Sequence, residues 1–368
     1  MKFRWLDKKV QLFQFAAAVS AAFIGGLLFS LLQWPIPWLL GPMSAVLIVS
    51  RIKRVTLYWP TEIRNAGLII VGYSIGLTFT KDTLITISSK LPSMALMTVL
   101  LVLICMGMAF IISKLSSIDF PTALTSSIPG GLSQIITFAE ESKGIDITTV
   151  TFFQVTRLLM IIFFVPFLIF SPLFLENGTK FPSSETAAHL APYDYHLLPT
   201  LFFIVFSIAV ALIGKRIKLP TAFLLAPILG IAILNVAGYT GPPVPSFLLD
   251  ISQFMIGGYI GLLLKPEQLK SKAIIPVALF SGIMLVCISL GLSYLLSLQY
   301  RFSPLTSFLS LAPGGADQMG IIGHELHADI SMITGYQLFR ILFIFFAVPP
   351  LLKYVLRFSQ RKSENKGM

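Results

Sequence analysis

A repeat runs through almost the whole chain. Pro35-Ile36-Pro37-Trp38-Leu39-Leu40-Gly41-Pro42 is answered by Pro220-Thr221-Ala222-Phe223-Leu224-Leu225-Ala226-Pro227, with prolines and leucines in register at an offset of 185. The same offset pairs Gly72 with Gly257, Gly76-Leu77 with Gly261-Leu262 and Leu84 with Leu269. Pro129-Gly130-Gly131 then pairs with Pro313-Gly314-Gly315, and Gln134 with Gln318, at offset 184. Asp146, Gln154, Arg157 and Pro166 pair with Asp329, Gln337, Arg340 and Pro349 at offset 183. Shared bias toward leucine would give chance leucine pairs, but not this ordered set of Pro, Gly, Gln, Asp and Arg. Any fold for the chain has to be built twice from the same plan, and internal duplication is a hallmark of secondary transporters.

The repeated material is apolar. Of the 368 residues 55% are hydrophobic and only 12% charged, with a mean hydropathy of +0.85. A soluble domain has too few buried positions for that much apolar side chain, and a disordered chain needs the opposite composition. A soluble enzyme is excluded on this ground. The expected class is an all-α polytopic membrane protein, since about 20 apolar residues span a bilayer as a helix. Spans are expected near 11–33, 36–50, 63–79, 91–113 and 147–171, and again near 197–214, 219–236, 247–264, 273–297 and 331–352. Lys2, Arg4, Lys8 and Lys9 before Ala16-Ala17-Ala18 resemble a secretory signal. The apolar run continues to about Leu32, however, and its repeat counterpart lies in mid-chain, so it is read as the first span. The expected division is a first membrane repeat over 1–172, a linker over 173–196, a second repeat over 197–356 and a cytoplasmic tail over 357–368. Cys105 and Cys287 each lie inside an apolar run, which implies neither a disulfide nor a metal framework.

Between the fourth and fifth spans of each half lies a weaker segment, 119–142 and 303–327, interrupted by Pro-Gly-Gly. Proline and two glycines break a helix. Backbone freed at membrane depth is tolerated only where it faces protein or a watery cavity. The net charge of +11 decides how these segments run. The basic residues sit in short clusters between apolar runs, the pattern of membrane topology and not of a nucleic-acid face. If each broken segment re-enters, the second half is inverted, and 21 basic residues fall inside against Lys81, Lys90, Lys180 and Arg301 outside. If it crosses, the split is 16 to 9. The positive-inside rule favours two inverted repeats of five spans, each with a Pro-Gly-Gly-broken re-entrant element, and both termini on the cytoplasmic side of the cell membrane.

Arg157 and Arg340 are the leading site candidates. Each sits about ten residues into an apolar helix, roughly 15 Å deep at 1.5 Å per residue. A central arginine costs about 2.5–3.5 kcal/mol on insertion scales, so two at equivalent positions imply an offset. A guanidinium suits a carboxylate or phosphate, which makes an anion site one reading. The other is that each arginine clamps the carbonyls of a broken helix or an internal acid. Gln154 and Gln337 lie three residues earlier on the same helix face and share either job. Gly130, Gly131, Gly314 and Gly315 mark the breaks, where a half-helix aims its N–H groups at a cavity. Ser133, Gln134, Asp317 and Gln318 fall in the first turn after each break and either cap it or face a ligand. Asp317 and Asp250 are the candidates for coupling to H⁺ or Na⁺; Asp250, which stands where the first half has Asn65, either binds a coupling ion or simply favours the helix N-terminus. His324-Glu325-Leu326-His327-Ala328-Asp329 has weaker spacing than a zinc motif and no duplicate, since the first half carries Glu140-Glu141-Ser142-Lys143 there. It reads as a solvated turn, and no metal or other cofactor is expected. Asn177-Gly178-Thr179 fits a glycosylation sequon in the linker, a weak signal.

Ile128-Pro129-Gly130-Gly131-Leu132-Ser133-Gln134, Ala312-Pro313-Gly314-Gly315-Ala316-Asp317-Gln318 and the two Gln-x-x-Arg helices together resemble the duplicated membrane family called AbrB. The resemblance covers nearly the entire chain. That family is also labelled putative ammonia monooxygenase or transcriptional regulator, and it is distinct from the soluble DNA-binding repressor of the same name. It implies a fold similar to inverted-repeat transporters of the cation/proton antiporter and anion transporter type, and it carries over no catalytic residues. No His-rich copper constellation supports a monooxygenase, and no cytoplasmic segment is long enough for a DNA-binding domain, so any regulation is indirect and without direct nucleic-acid contact.

The function expected is a secondary transporter of a small, anionic solute by alternating access. The rival is a membrane sensor that regulates gene expression indirectly and transports nothing. A membrane enzyme ranks third, because no nucleophile, base and orienter constellation appears. The partners expected are the solute, H⁺ or Na⁺, the lipid bilayer and a second copy in a homodimer.

Overall fold

In a computed structural model the described residues are 2–364 apart from 35, 53–55, 117, 130–134, 136–137, 140–144, 170–196, 220, 264–272 and 301. They are all-helical. In chain order the helices are α1 (Lys2–Leu31), α2 (Pro37–Val49), α3 (Thr61–Leu77), α4 (Lys81–Leu115), α5 (Phe120–Ser127), α6 (Ile147–Ile169), α7 (Leu197–Arg216), α8 (Ala222–Val236), α9 (Ser246–Gly261), α10 (Ile274–Tyr300), α11 (Pro304–Leu311), α12 (Ala316–Glu325) and α13 (Ile330–Glu364). Six of them contain a stretch long and apolar enough to cross a membrane: Val10–Leu31, Lys81–Leu115, Ile147–Ile169, Leu197–Arg216, Ile274–Tyr300 and Ile330–Val348. The chain is a multi-pass membrane protein by this architecture.

The remaining four expected spans are shorter helices. α2, α3, α8 and α9 have 13, 17, 15 and 16 residues. At 1.5 Å per residue these reach about 20–26 Å, short of a hydrocarbon core of about 30 Å. Hydropathy does not see what shortens α2 and α8, which is backbone geometry. Ile36 and Thr221, equivalent in the repeat, both take the left-handed conformation, with φ of 50° and 45°, and separate these helices from what precedes them. Just upstream, Gln33 and Lys218 are left-handed too, with φ of 52° and 57°. Each closes a Schellman turn: Trp34 N–H donates to Phe29 O at 2.9 Å and Leu219 N–H to Gly214 O at 3.0 Å.

The helices form two compact units, each drawing on both repeats. The first contains residues 1–84, 162–264 and 320–331. Its centre is made by glycine crossings. Gly72 and Gly76 on α3 lie against the Leu224 and Ile228 carbonyls of α8, while Gly257 and Gly261 on α9 lie against the Leu39 and Met43 carbonyls of α2. Each contact has its counterpart at offset 185. Gly67 on α3 lies against the carbonyl of Ser252, its own equivalent on α9. Asn235 donates from Nδ2 to Leu77 O at 2.9 Å and Phe79 O at 3.0 Å, satisfying carbonyls at the end of α3. Ala18, Ala22, Val46 and Trp59 form a buried cluster at one side.

The second unit contains residues 85–161, 265–319 and 332–368. It holds α4 and α10, the eight-residue helices α5 and α11, and most of α6 and α13. α10 packs on α11, and Tyr336 on α13 shares a 2.5 Å hydrogen bond with Ser93 on α4.

Candidate functional site

The second unit gathers both Gln-x-x-Arg pairs. α5 and α11 are short because both of their ends are specified. At the N-terminus Asp119 accepts from Thr122 N–H at 3.2 Å, and its counterpart Ser303 accepts from Thr306 N–H at 3.1 Å. At the C-terminus Ile128 and Ala312 turn extended, with ψ of 126° and 133°. Each precedes a proline, which disfavours helical backbone in the residue before it.

A helix that stops there leaves carbonyls without partners, and buried carbonyls need them. Gln154 supplies one set from α6: its Nε2 donates to Ser126 O at 3.2 Å and Ile128 O at 3.1 Å, with Thr125 O farther at 3.4 Å. Arg157 Nη1 donates to the same Ile128 O at 3.2 Å. On α13 Gln337 Nε2 donates to Leu309 O at 2.8 Å and Ala312 O at 3.0 Å. Arg340 Nη1 donates to Leu311 O at 3.1 Å and Ala312 O at 2.9 Å, and its Nη2 to Gly314 O at 2.9 Å. In both pairs the arginine Nη2 also donates to the glutamine Oε1 three residues earlier. The Gln-x-x-Arg spacing therefore places a fork of donors against the end of a broken helix, once per repeat.

The electrostatics of these two forks are unusual. Arg157 is 9% exposed and Arg340 4%. Among the described residues neither guanidinium is paired with a carboxylate. They lie within electrostatic range of each other, and the buried thiol of Cys105 on α4 lies within range of both. Carbonyl dipoles solvate the charge without cancelling it. Among the described residues Arg340 Nε–H has no acceptor, and the buried hydroxyls of Ser307 on α11 and Thr334 on α13 have no partner either.

The backbone of the second break is described. Gly315 N–H donates to Gln318 Oε1 at 2.7 Å, so Gln318 reaches back to cap α12 as the third residue of a capping box does. The carbonyl of Gly314 is held by Arg340. Asp317 lies in the first turn of α12, and its side chain is outside the described residues. Gly130, Gly131, Ser133 and Gln134 are also outside them.

Asp250 falls elsewhere, on α9 in the first unit. It is half-buried and within electrostatic range of Glu325 at the end of α12. Gln253 Nε2 donates to Glu325 Oε1 at 3.2 Å. The His324–Asp329 stretch is the close of α12: His327 takes the left-handed position, with φ of 51°, and Ala328 N–H donates to Gly323 O at 2.9 Å. Sequence reasoning weighed Glu325 only inside this turn and passed over Gln253, Asp119 and Ser303. Gln253 had a signal, because the repeat places Leu68 at the equivalent position.

A family model described as "Transition state regulatory protein AbrB" matches residues 38–356. The chain is 26% identical over 367 residues to "Uncharacterized protein YhjN" of Bacillus subtilis (strain 168), covering 95% of this chain and 94% of that protein. It is also 26% identical over 330 residues to "Putative regulator AbrB" of Escherichia coli (strain K12), covering 89% and 92%. No solved structure matches the chain.

Proposed function

The chain belongs to the family described as transition state regulatory protein AbrB, and on that premise we propose that it is a secondary transporter of a small anionic solute working by alternating access. The observation that carries this reading is the pair of buried guanidiniums, Arg157 and Arg340, with no carboxylate partner among the described residues. A buried charge without a counter-ion is costly, and an anionic solute would supply the counter-ion. Arg340 Nε–H, without an acceptor among the described residues, is a donor open to it. The solute site in this reading is built from Arg157, Arg340, Gln154 and Gln337, with Gly130, Gly131, Gln134, Gly314, Gly315 and Gln318 at the two breaks.

The proposed architecture is two inverted repeats of five transmembrane elements, each with a re-entrant broken segment, in the cell membrane with both termini cytoplasmic. Two facts support it. The glycine crossings are reciprocal at offset 185, as a two-fold relation between the repeats requires. The basic residues divide most unevenly when the second repeat is inverted.

The test starts from a thermal-stability screen of detergent-purified protein against organic acids, amino acids and inorganic anions. A ligand at about 100 times its Kd stabilises by about 2.7 kcal/mol, enough to see. The hit is then offered to proteoliposomes. Uptake of that anion, lost in Arg340→Gln together with its thermal shift, is the expected result. Shift and uptake both unchanged in a folded Arg340→Gln would sink the anion site. A second reading, a membrane sensor acting indirectly on gene expression, has in its favour the word "regulator" in the name of the Escherichia coli relative. Under that reading the anion shifts the melting curve and no flux follows.

A further inference from the structure

We propose that the anion held by the two buried guanidiniums is a doubly charged oxyanion without an ammonium group, bridging Arg157 and Arg340 and taking a further hydrogen bond from Ser289. The proposal rests on the anion reading above and names the class of solute. Its chemistry is two negative charges carried on oxygen, whether by a dicarboxylate or by an inorganic ion such as sulfate.

Packing inside the second unit brings the parts together. Ser281 Oγ on α10 lies 3.9 Å from Met108 Sδ on α4. A Cβ on the next residue, Gly282, would stand 2.6 Å from Met160 Sδ on α6. Cys105 and Arg157 each precede these methionines by three residues and share their helix faces. α4 and α6 therefore meet neighbouring positions of α10, with the thiol and the guanidinium one turn away. α6 also reaches the second break, where Ile161 Cγ2 is 3.2 Å from the place a Cβ on Gly314 would take. The Gly314 carbonyl is the one that Arg340 Nη2 holds at 2.9 Å. The repeat then adds Ser289. From Ala278 to Leu296 the buried positions of α10 are those of α4 from Met94 to Ile112, moved by 184. Ser289 is thereby the counterpart of Cys105, and both are 0% exposed.

What this unit leaves open is donors. Six buried side-chain polar atoms have no hydrogen-bond partner among the described residues, and five of them are here: Thr156 Oγ1, Ser289 Oγ, Ser307 Oγ, Thr334 Oγ1 and Arg340 Nε. The guanidinium nitrogen can only donate, and each hydroxyl can donate. A buried polar group left unmet is costly, and an oxyanion meets several at once. Two guanidiniums carry two charges. A monoanion leaves one of them without a counter-ion, and a dianion leaves none. An ammonium group on the solute would add a third positive charge, where no described carboxylate pairs with either arginine. These atoms are shut off from solvent, so the anion reaches them through the movement that alternating access supplies.

The test compares matched anions in thermal unfolding of the full-length protein in detergent, at constant ionic strength. Succinate is set against its monoamide succinamate and against aspartate, and sulfate against methanesulfonate. A saturable rise in Tm is expected with at least one dianion, and binding about ten-fold weaker or worse for its monovalent partner and for aspartate. Which dianion acts separates the two sources. Arg157→Gln and Arg340→Gln should each lose the shift, because the dianion spans both. Ser289→Ala should bind the dianion about ten-fold more weakly, the worth of a hydrogen bond to a charged group. Without ligand it should melt no lower than the native protein, because the hydroxyl it removes has no partner among the described residues. Should an arginine variant fail to fold, the matched anions and Ser289→Ala still decide. A monoanion or aspartate that binds as tightly as the dianion overturns the proposal and leaves the anion reading standing. So does a dianion shift kept in a folded Arg157→Gln, and undiminished binding in Ser289→Ala removes Ser289 from the site. No shift with any of these anions overturns the proposal and the anion reading together.

Discussion

Gly72 lies so close to the carbonyl oxygen of Leu224 that a Cβ on it would stand 2.6 Å away. Gly257 repeats the relation with Leu39, at 2.4 Å. Both obstacles are backbone, so no rotamer change relieves them and the helices themselves must part. Removing the side chain at these positions is what lets α3 rest on α8 and α9 on α2, the small-residue packing that membrane helices use in place of a hydrophobic drive.

Gly72→Ala and Gly257→Ala should therefore each lower Tm strongly. The cost should exceed the 1–3 kcal/mol or so typical of overpacking, since only backbone shifts can absorb it. Gly107 on α4 and Gly291 on α10 are the controls, because an added Cβ there meets nothing within 4 Å. Alanine at either should hold or raise stability by about 0.5–1 kcal/mol, the ordinary gain of replacing a mid-helix glycine. Thermal melts of the four single variants in one detergent settle the comparison. A neutral Gly72→Ala would mean that this crossing is loose.

The glycine pairs and the Gln-x-x-Arg spacing were legible in the sequence because each occurs twice, and repetition separates a requirement from an accident. The task of the arginines was not. The spacing puts Gln154 and Arg157 on one face of α6, but which acceptors that face meets depends on where α5 stops. That depends in turn on Ile128 being held extended by Pro129. α2 and α8 lie close to the expected 36–50 and 219–236, but hydropathy is blind to the left-handed backbone at Ile36 and Thr221 that sets where they start, and neither is long enough to span on its own. Asp250 and Glu325 were read singly. They lie far apart in the chain, and only the fold brings them within electrostatic range of each other.

The two half-helix caps differ in chemistry and serve the same bond. Asp119→Ala should cost about 0.5–2 kcal/mol, the usual range for losing an N-cap. Asp119→Ser should restore most of it, because Ser303 already performs this role at the equivalent place with a 3.1 Å bond. Melting curves of the two variants check this. A serine as damaging as alanine would show that Asp119 acts through its charge and not as a cap.

The clamp on α11 can be divided into donors and charge. Gln337→Glu puts a carboxylate beside Arg340 but removes the Nε2 donor that meets Leu309 O and Ala312 O. If satisfying carbonyls is what matters, the variant loses stability, since an unmet buried polar group costs about 1–3 kcal/mol. If neutralising the guanidinium matters more, it gains. We expect the loss, and a similar one for Arg340→Lys, whose single ammonium cannot reproduce a planar fork facing four acceptors. In the anion screen, Gln337→Glu should also abolish ligand stabilisation, because the chain then carries its own counter-ion. A Gln337→Glu protein that melts higher and still responds to the anion would contradict both parts.

The left-handed residues before α2 and α8 offer a sign test between strain and burial. An L-residue in this conformation costs roughly 1–2 kcal/mol, and more when β-branched. Thr221 is exposed, with φ of 45°, and its side chain makes no cap hydrogen bond. Thr221→Gly therefore removes strain and loses no packing, and it should raise Tm by a net amount under about 1 kcal/mol after the added freedom of glycine in the unfolded chain. Ile36 has the same backbone, with φ of 50°, but is 5% exposed. Burying an isoleucine is worth about 1.5–3 kcal/mol, which outweighs the strain relieved. Ile36→Gly should thus lower Tm although it sits at the equivalent turn. Opposite signs at repeat-equivalent positions would show that the strain at Ile36 is carried by its packing. Equal signs would mean that the turns are not under the strain their φ values indicate.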